Sequence, residues 1–473
     1  MKHAFIPESL SRRQWLGAAA GGLALGLAPF TGWADGDTGS RSMRKPRYAS
    51  PLAVTAITGK KVVVVGGGMA GMTAAKYLRL WGGRGLEVTL VTPDTLYTSS
   101  IMSNLVLNGS RSIAGLQFSR DALTTRYGVI RRTGSVAAID RLNRSVQLAD
   151  GSALAYDRLV LAPGVSFDPA YGLTPSDYEQ RTPHAWQGGP QTTLLRQQIS
   201  AMRDRDVFVM TIPKAPYRCP PGPYERACVV ADHLKTTGRA GCQVVILDEN
   251  PVIQAERHTF ETAFSGLHAG VIRYVPGVTA LRIDAANLRV TYADAVGETR
   301  AIDAQVVNPI VPHRANGSNP GQWLAQAGLN NSADGRWAVV DVLSYESTAP
   351  GAQGIHVIGD ASSCGLPKAG HVANQEAKIC ADAIVRLMTG SPPDPQPVAN
   401  SACYSPITAR TASWLTAVYQ YDPVERRMKI ASNGGQTLVN GVPASATEAA
   451  SVSSDNFEDM GTWFATLMKD TAA

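Results

Sequence analysis

The chain has 473 residues, with 44% hydrophobic and 17% charged positions, which is an ordinary globular composition with room for two or three full cores and excludes a disordered or fibrous protein. Its formal charge of +6 is too small and too scattered for a nucleic-acid binder, and a mildly basic soluble surface accounts for it. Past the N-terminus no apolar run reaches the roughly 18 residues of a membrane helix, so no integral span is expected in the mature chain.

Ser11-Arg12-Arg13-Gln14-Trp15-Leu16 precedes a small, apolar run, Gly17–Phe30, and then Gly32-Trp33-Ala34. The pattern resembles a twin-arginine export signal over residues 1–34, which implies a chain exported already folded to the periplasm. Residues 35–58, rich in Gly, Ser, Arg and Pro, read as a flexible lead-in.

Lys61-Val62-Val63-Val64-Val65 is a β-branched run too short for a helix and reads as a strand buried on both faces. Gly66, Gly68 and Gly71 follow as G-x-G-x-x-G, then Met72–Leu80 with helical spacing and a second strand, Glu87–Val91. In this setting Gly66 permits the tight bend, Gly68 lets a pyrophosphate approach the backbone, and Gly71 lets helix pack on strand. The helix N-terminus supplies donors to the anion. Where an acidic residue commonly holds a ribose hydroxyl, this sequence has Thr92, with Asp94 two positions on.

Short β-like segments follow near Val129–Leu148, and Tyr156–Gly164 reads as a buried strand ending in a Pro-Gly turn. Val207–Ile212 and Gln243–Asp248 flank a helical Tyr224–Thr236 and form a second βαβ unit. Its turn, Pro213–Pro223, carries prolines in place of a glycine cradle. Prolines lack the N–H donors a pyrophosphate needs, which argues against a nicotinamide dehydrogenase. Gly354–Asp360 reads as a last strand, Asn374–Leu387 as a helix and Ser391–Pro397 as a linker. The C-terminal segment has only one modest amphipathic run, Met460–Met468. None of the six cysteines begins C-x-x-C-H, so no c-type haem is expected on this chain, and none has zinc-site spacing.

Four stretches resemble a known family: Pro216–Arg226 (PYRCPPGPYER), Met102–Leu107, Gly359-Asp360 with Leu366-Pro367-Lys368, and Ala402-Cys403-Tyr404-Ser405. Together they are similar to the flavoprotein subunit of flavocytochrome c sulfide dehydrogenase, within the glutathione-reductase-like and sulfide:quinone-oxidoreductase-like flavoproteins. The resemblance implies an α/β fold with two Rossmann-like domains, the second without a nicotinamide fingerprint, and a small C-terminal α+β segment. The corresponding boundaries are 59–165 and 301–397 for the FAD domain, 166–300 for the second domain and 398–473 for the C-terminal segment.

The same resemblance implies a redox-active disulfide between Cys219 and Cys403; Glu225, close to Cys219 on the first helical turn, is a candidate proton acceptor, and the charges of Arg218 and Arg226 favour anions near the site. Cys364 is the competitor for Cys403, and Cys228, Cys242 and Cys380 read as inert core thiols. Implied flavin contacts are Asn104, Ala162, Gly164, Gly359, Asp360 and Lys368. The family tethers its flavin through a cysteine before the Met-Ser-Asn-Leu-Val run; here that position is Ser100, which cannot form a thioether, so FAD is expected to be bound non-covalently. The implied activity is oxidation of hydrosulfide or a related reduced sulfur compound, with electrons passed to a c-type cytochrome on another polypeptide. The rivals are a sulfide:quinone oxidoreductase and a non-catalytic flavin relay subunit. Trp414, Tyr419 and Trp463 are candidates to cover the disulfide face.

Overall fold

The structure, a computed structural model, describes residues 57–431 and 446–473. The signal expected over residues 1–34 and nearly all of the lead-in lie outside these described residues.

β1 (Lys60–Val65) buries its four valines, passes through the glycine turn and enters α1 (Met69–Gly82). The chain then returns as β2 (Leu86–Thr92), paired parallel to β1 with Val62 beside Val88. β3 (Ile130–Thr133) lies outside β2, and β4 (Arg158–Leu161) lies on the other side of β1. These strands belong to an eight-stranded sheet with both faces covered, which is why its valine run shows no alternation.

The second sheet is all parallel and holds four strands: β5 (Val207–Ile212), β6 (Gln243–Asp248), β7 (Ile272–Pro276) and β8 (Val306–Pro309). α2 (Gly222–Thr236) crosses from β5 to β6. Successive residues of β5 point to opposite faces: Phe208, Met210 and Ile212 join the core under α2, while Val209 joins a separate core on the other face. β8 pairs with β5, so the second domain extends past the boundary expected at residue 300. The boundary expected at residue 300 misses this strand because Val306-Val307-Asn308-Pro309 is short and ends in an asparagine and a proline.

β9 (Ile355–Val357) brings the chain back to the first sheet beside β4 and ends at the Gly359–Ala361 turn. α3 (Gly370–Met388) follows, starting earlier than the sequence reading placed it. The C-terminal segment is antiparallel: β10 (Val398–Pro406), β11 (Ala412–Asp422), β12 (Arg427–Ile430) and β13 (Ala446–Glu448), then α4 (Ser454–Ala472). Met460, Phe464 and Met468, spaced by four, put the amphipathic stripe of α4 into the core of the first domain. Among the described residues no helix is long and apolar enough to cross a membrane.

Candidate functional site

The glycine turn has the geometry its residues predict. Gly66 has φ 106°, and a Cβ there would collide with the Ala162 carbonyl; one on Gly71 would collide with the Gly66 carbonyl. A Cβ on Gly68 would meet nothing within 4 Å, and Gly68 caps α1 with no side-chain hydrogen bond, so the helix N-terminus faces open space. Thr92 is buried beside the turn. Arg120, which no sequence signal marked, is 2% exposed and donates from Nε (3.0 Å) and Nη2 (2.7 Å) to the Gly67 carbonyl. Its Nη1 donates to the Asp94 carbonyl at 2.8 Å.

A cleft of about 1180 Å³ opens from this turn. Gly66, Gly68, Thr92, Ser100, Asn104, Ala162, Gly164, Gly359 and Asp360 line it, as do Cys219, Glu225 and Cys403. Asp360 Oδ1 is buried with no hydrogen-bond partner, and burial pushes its carboxyl up, opposed by Arg218 and Lys368. A cradle open at Gly68 and an unpartnered carboxylate oxygen across the same cleft fit a pyrophosphate joined to a hydroxyl-bearing chain, as in FAD. Ser100 Oγ accepts from Gly188 N at 3.4 Å on the same wall.

Two expected flavin contacts take other roles. Lys368 does not line the cleft: its Nζ donates to the carbonyls of Asp360 (2.9 Å) and Ser362 (2.6 Å) and lies 3.8 Å from the Trp337 ring centre. A partly buried ammonium takes the nearest carbonyls, and the Lys368 carbonyl accepts from Cys219 N at 2.7 Å. Asn104 reaches the cleft, but its Nδ2 donates to the Gly222 carbonyl (3.1 Å) and Glu225 Oε1 (2.8 Å), and its Oδ1 accepts from Arg226 Nε (2.9 Å). It braces the start of α2 with its amide.

Cys219 and Cys403 line the cleft together and are both free thiols. Cys219 lies within the proline loop at φ 59°, a left-handed conformation uncommon for a side-chain-bearing residue. Its carbonyl accepts from Gly222 N at 2.9 Å, and a Cβ on Gly222 would sit 2.8 Å from its Sγ. Burial pushes the Cys219 thiol up to about 12, with Glu225 adding and Arg218 opposing. Burial and then Cys219 raise Cys403. Cys364 is buried outside the cleft lining, where its Sγ accepts from Ser362 Oγ and donates to Glu376 Oε1, both at 3.4 Å. Cys228, Cys242 and Cys380 are fully buried in the cores.

Glu225 lies in the first turn of α2, and burial pushes it up to about 8, with the Asn104 hydrogen bond pulling the other way. Arg226 does not act as a free anion attractor. It is 1% exposed, donates to Asn104 Oδ1, His184 O, Ala185 O and Asn308 Oδ1, and stacks 4.6 Å from the Trp186 ring centre. Of the three aromatics expected over the thiols, Trp463 lines the cleft, with Tyr404 5.5 Å and His371 5.9 Å away ring to ring. Trp414 does not line it, and Tyr419 lines a second cleft of about 610 Å³.

Residues 192–312 match the family described as sulfide dehydrogenase (flavocytochrome c) flavoprotein chain, central, and residues 60–186 match pyridine nucleotide-disulphide oxidoreductase. Among curated proteins, the ferredoxin–NAD(+) reductase component of the Paraburkholderia xenovorans biphenyl dioxygenase system is 30% identical over 22% of this chain. A probable ferredoxin reductase of Castellaniella defragrans is 32% identical over the same share. Each match spans only 26% of the relative's own length. The sulfide:quinone oxidoreductase of Aquifex aeolicus shares the fold at TM-score 0.68 and 18% identity, over 88% of this chain and 92% of that one. An NAD-dependent persulfide reductase of A. fulgidus shares it at TM-score 0.52 and 16% identity, over 77% and 71%. Fold, cleft and family matches together support an oxidoreductase of the two-domain α/β flavoprotein type, related to the flavocytochrome c sulfide dehydrogenase flavoprotein.

Proposed function

We propose that this chain is a periplasmic FAD enzyme that oxidises hydrosulfide or a close reduced sulfur compound through Cys219 and Cys403 and delivers electrons to a c-type cytochrome carried by another polypeptide. One observation carries the reading: two cysteines far apart in sequence line one cleft with the glycine cradle, and a buried acid, Glu225, lines it with them. The second domain offers a proline loop where a nicotinamide pyrophosphate would need N–H donors, which supports an acceptor other than NAD(P).

In the working form the two thiols are joined. Hydrosulfide attacks one sulfur, a bond forms between substrate sulfur and that cysteine, the Cys219–Cys403 bond breaks, and the other cysteine leaves as thiolate. The pair is thereby reduced by two electrons while the substrate sulfur is oxidised. Glu225 takes the persulfide proton. When bound, the flavin supplies a two-electron store that can be emptied one electron at a time. Gly68 and the α1 N-terminus would hold its pyrophosphate and Asp360 Oδ1 its hydroxyl chain, and Ser100 would leave it untethered.

The test is anaerobic mixing with sulfide, followed by oxidised cytochrome c or a quinone. Bleaching by sulfide and recovery by cytochrome c support the reading. A flavin that stays oxidised, or that recovers only with quinone, overturns it. Acid precipitation that leaves the yellow colour in the pellet contradicts the non-covalent assignment at Ser100.

A further inference from the structure

Glu256 is a second buried carboxyl beside the thiols, and the chemistry above does not use it. It is 2% exposed and holds a left-handed φ of 50° directly before the short helix Arg257–Thr262. Ser405 donates to its Oε2, and Ser405 stands two positions beyond Cys403 on β10, so both side chains leave that strand on one face. Its Oε1 is buried with no hydrogen-bond partner. A buried carboxylate oxygen without a donor is costly, whereas the protonated acid carries a hydrogen that can move.

The titratable groups that act on Glu256 or feel its charge come from three elements: Glu225 and Cys228 on α2, Cys403 on β10, and Glu448 on β13. Among the described residues no lysine or arginine balances it. Outward, Ser413 favours its carboxylate and lies 3.2 Å from Thr259 Oγ1, which donates to Glu448 Oε2 at 3.0 Å. Glu448 is partly exposed. Ser413 stands directly opposite Ser405 across β10 and β11, so a line of oxygens runs from Glu256 through Ser405, Ser413 and Thr259 to Glu448.

We propose that Glu256 is a positioning acid of the thiol pocket: its charge opposes ionisation of Glu225, and it passes protons between that pocket and solvent by way of Ser405, Ser413, Thr259 and Glu448. This deepens, and rests on, the reading of Glu225 as proton acceptor. The proton leaves the substrate sulfur for Glu225, moves to Glu256 and departs to water; no electron travels with it. Two buried carboxyls beside one thiol pocket resist ionising together. Burial first, and then Glu256, hold Glu225 up at about 8, while Glu256 itself stands at about 7.

Infrared pH-difference spectra of the flavin-loaded protein read buried carboxylic C=O bands without turnover. The Glu225 band is the one lost in Glu225→Gln. In Glu256→Gln, which keeps an acceptor for Ser405 but no charge, that band should disappear about one pH unit lower than in wild type. The acid limb of sulfide-driven bleaching should move down with it. An unmoved Glu225 transition overturns the proposal. Should Glu256→Gln fail to hold flavin, Ser405→Ala decides: losing the donor keeps Glu256 protonated to higher pH, and the Glu225 transition must again fall or the proposal is wrong. Absence of bleaching in wild type defeats the functional reading instead, while the infrared comparison still decides the coupling.

Discussion

The amide of Asn104 stands between the Glu225 carboxyl and the Arg226 guanidinium, donating to Glu225 Oε1 at 2.8 Å and accepting from Arg226 Nε at 2.9 Å. It joins the Met102–Leu107 segment to the start of α2 and sets the environment of Glu225, an acid whose charge raises the Cys219 thiol.

Replacing Asn104 by Ala removes the donor that favours the charged form of Glu225. The acid limb of sulfide-driven flavin bleaching should then move to higher pH, opposite in sign to the shift expected of Glu256→Gln. Stability should fall by about 1–3 kcal/mol because a buried arginine donor loses its acceptor. Stopped-flow bleaching across pH checks this; an unchanged profile would show that the amide does not control Glu225.

Arg120 closes the glycine turn from behind. Arg120→Met keeps the apolar volume but leaves the Gly67 carbonyl without its two donors, at a cost of about 1–3 kcal/mol. The purified variant should bind flavin more weakly and melt lower, while after reduction the Cys219 and Cys403 thiols react with alkylating agents as in reduced wild type. Full flavin content after dialysis would contradict the bracing role.

Buried acids make the folded chain pH-sensitive in a defined direction. Burial is the first cause that lifts Glu225 to about 8 and both Glu256 and Glu376 to about 7, against an ordinary value of 4.5. The folded state therefore holds protons that the unfolded chain releases, and this contribution to stability is lost as pH rises to about 8. Buried His184, His371, His268 and His356 work the opposite way below their ordinary value of 6.5, because burial keeps them neutral. The clean window is from 6.5 to about 8, where the melting temperature should fall with rising pH. The fall should be shallower in Glu225→Gln. A melting temperature that climbs across this window contradicts the burial of these acids.

What the sequence disclosed and what it withheld follow from the range of each interaction. The glycine turn, the valine strand and the two βαβ units were legible because their signals lie within a dozen residues. Cys219, Glu225 and Cys403 were nominated through family resemblance, and the fold lines all three along one cleft. Arg120, Glu256 and the bracing roles of Asn104 and Lys368 were not legible. Each depends on one side chain meeting backbone or side-chain atoms that the fold, not the local pattern, delivers. Arg226 shows the same limit: an arginine beside a reactive loop reads as an anion attractor until its four hydrogen bonds are seen.

The most direct measurement replaces Cys219, Cys403 and Cys364 by serine one at a time and follows anaerobic flavin bleaching by sulfide in a stopped-flow spectrometer. Cys219→Ser and Cys403→Ser should bind flavin normally and lose bleaching, since no thiolate remains to leave when hydrosulfide attacks. Cys364→Ser, altered only in a core hydrogen-bond network, should bleach like wild type. Loss of bleaching in Cys364→Ser alongside an active Cys403→Ser would contradict the pairing and assign the chemistry to the other thiol.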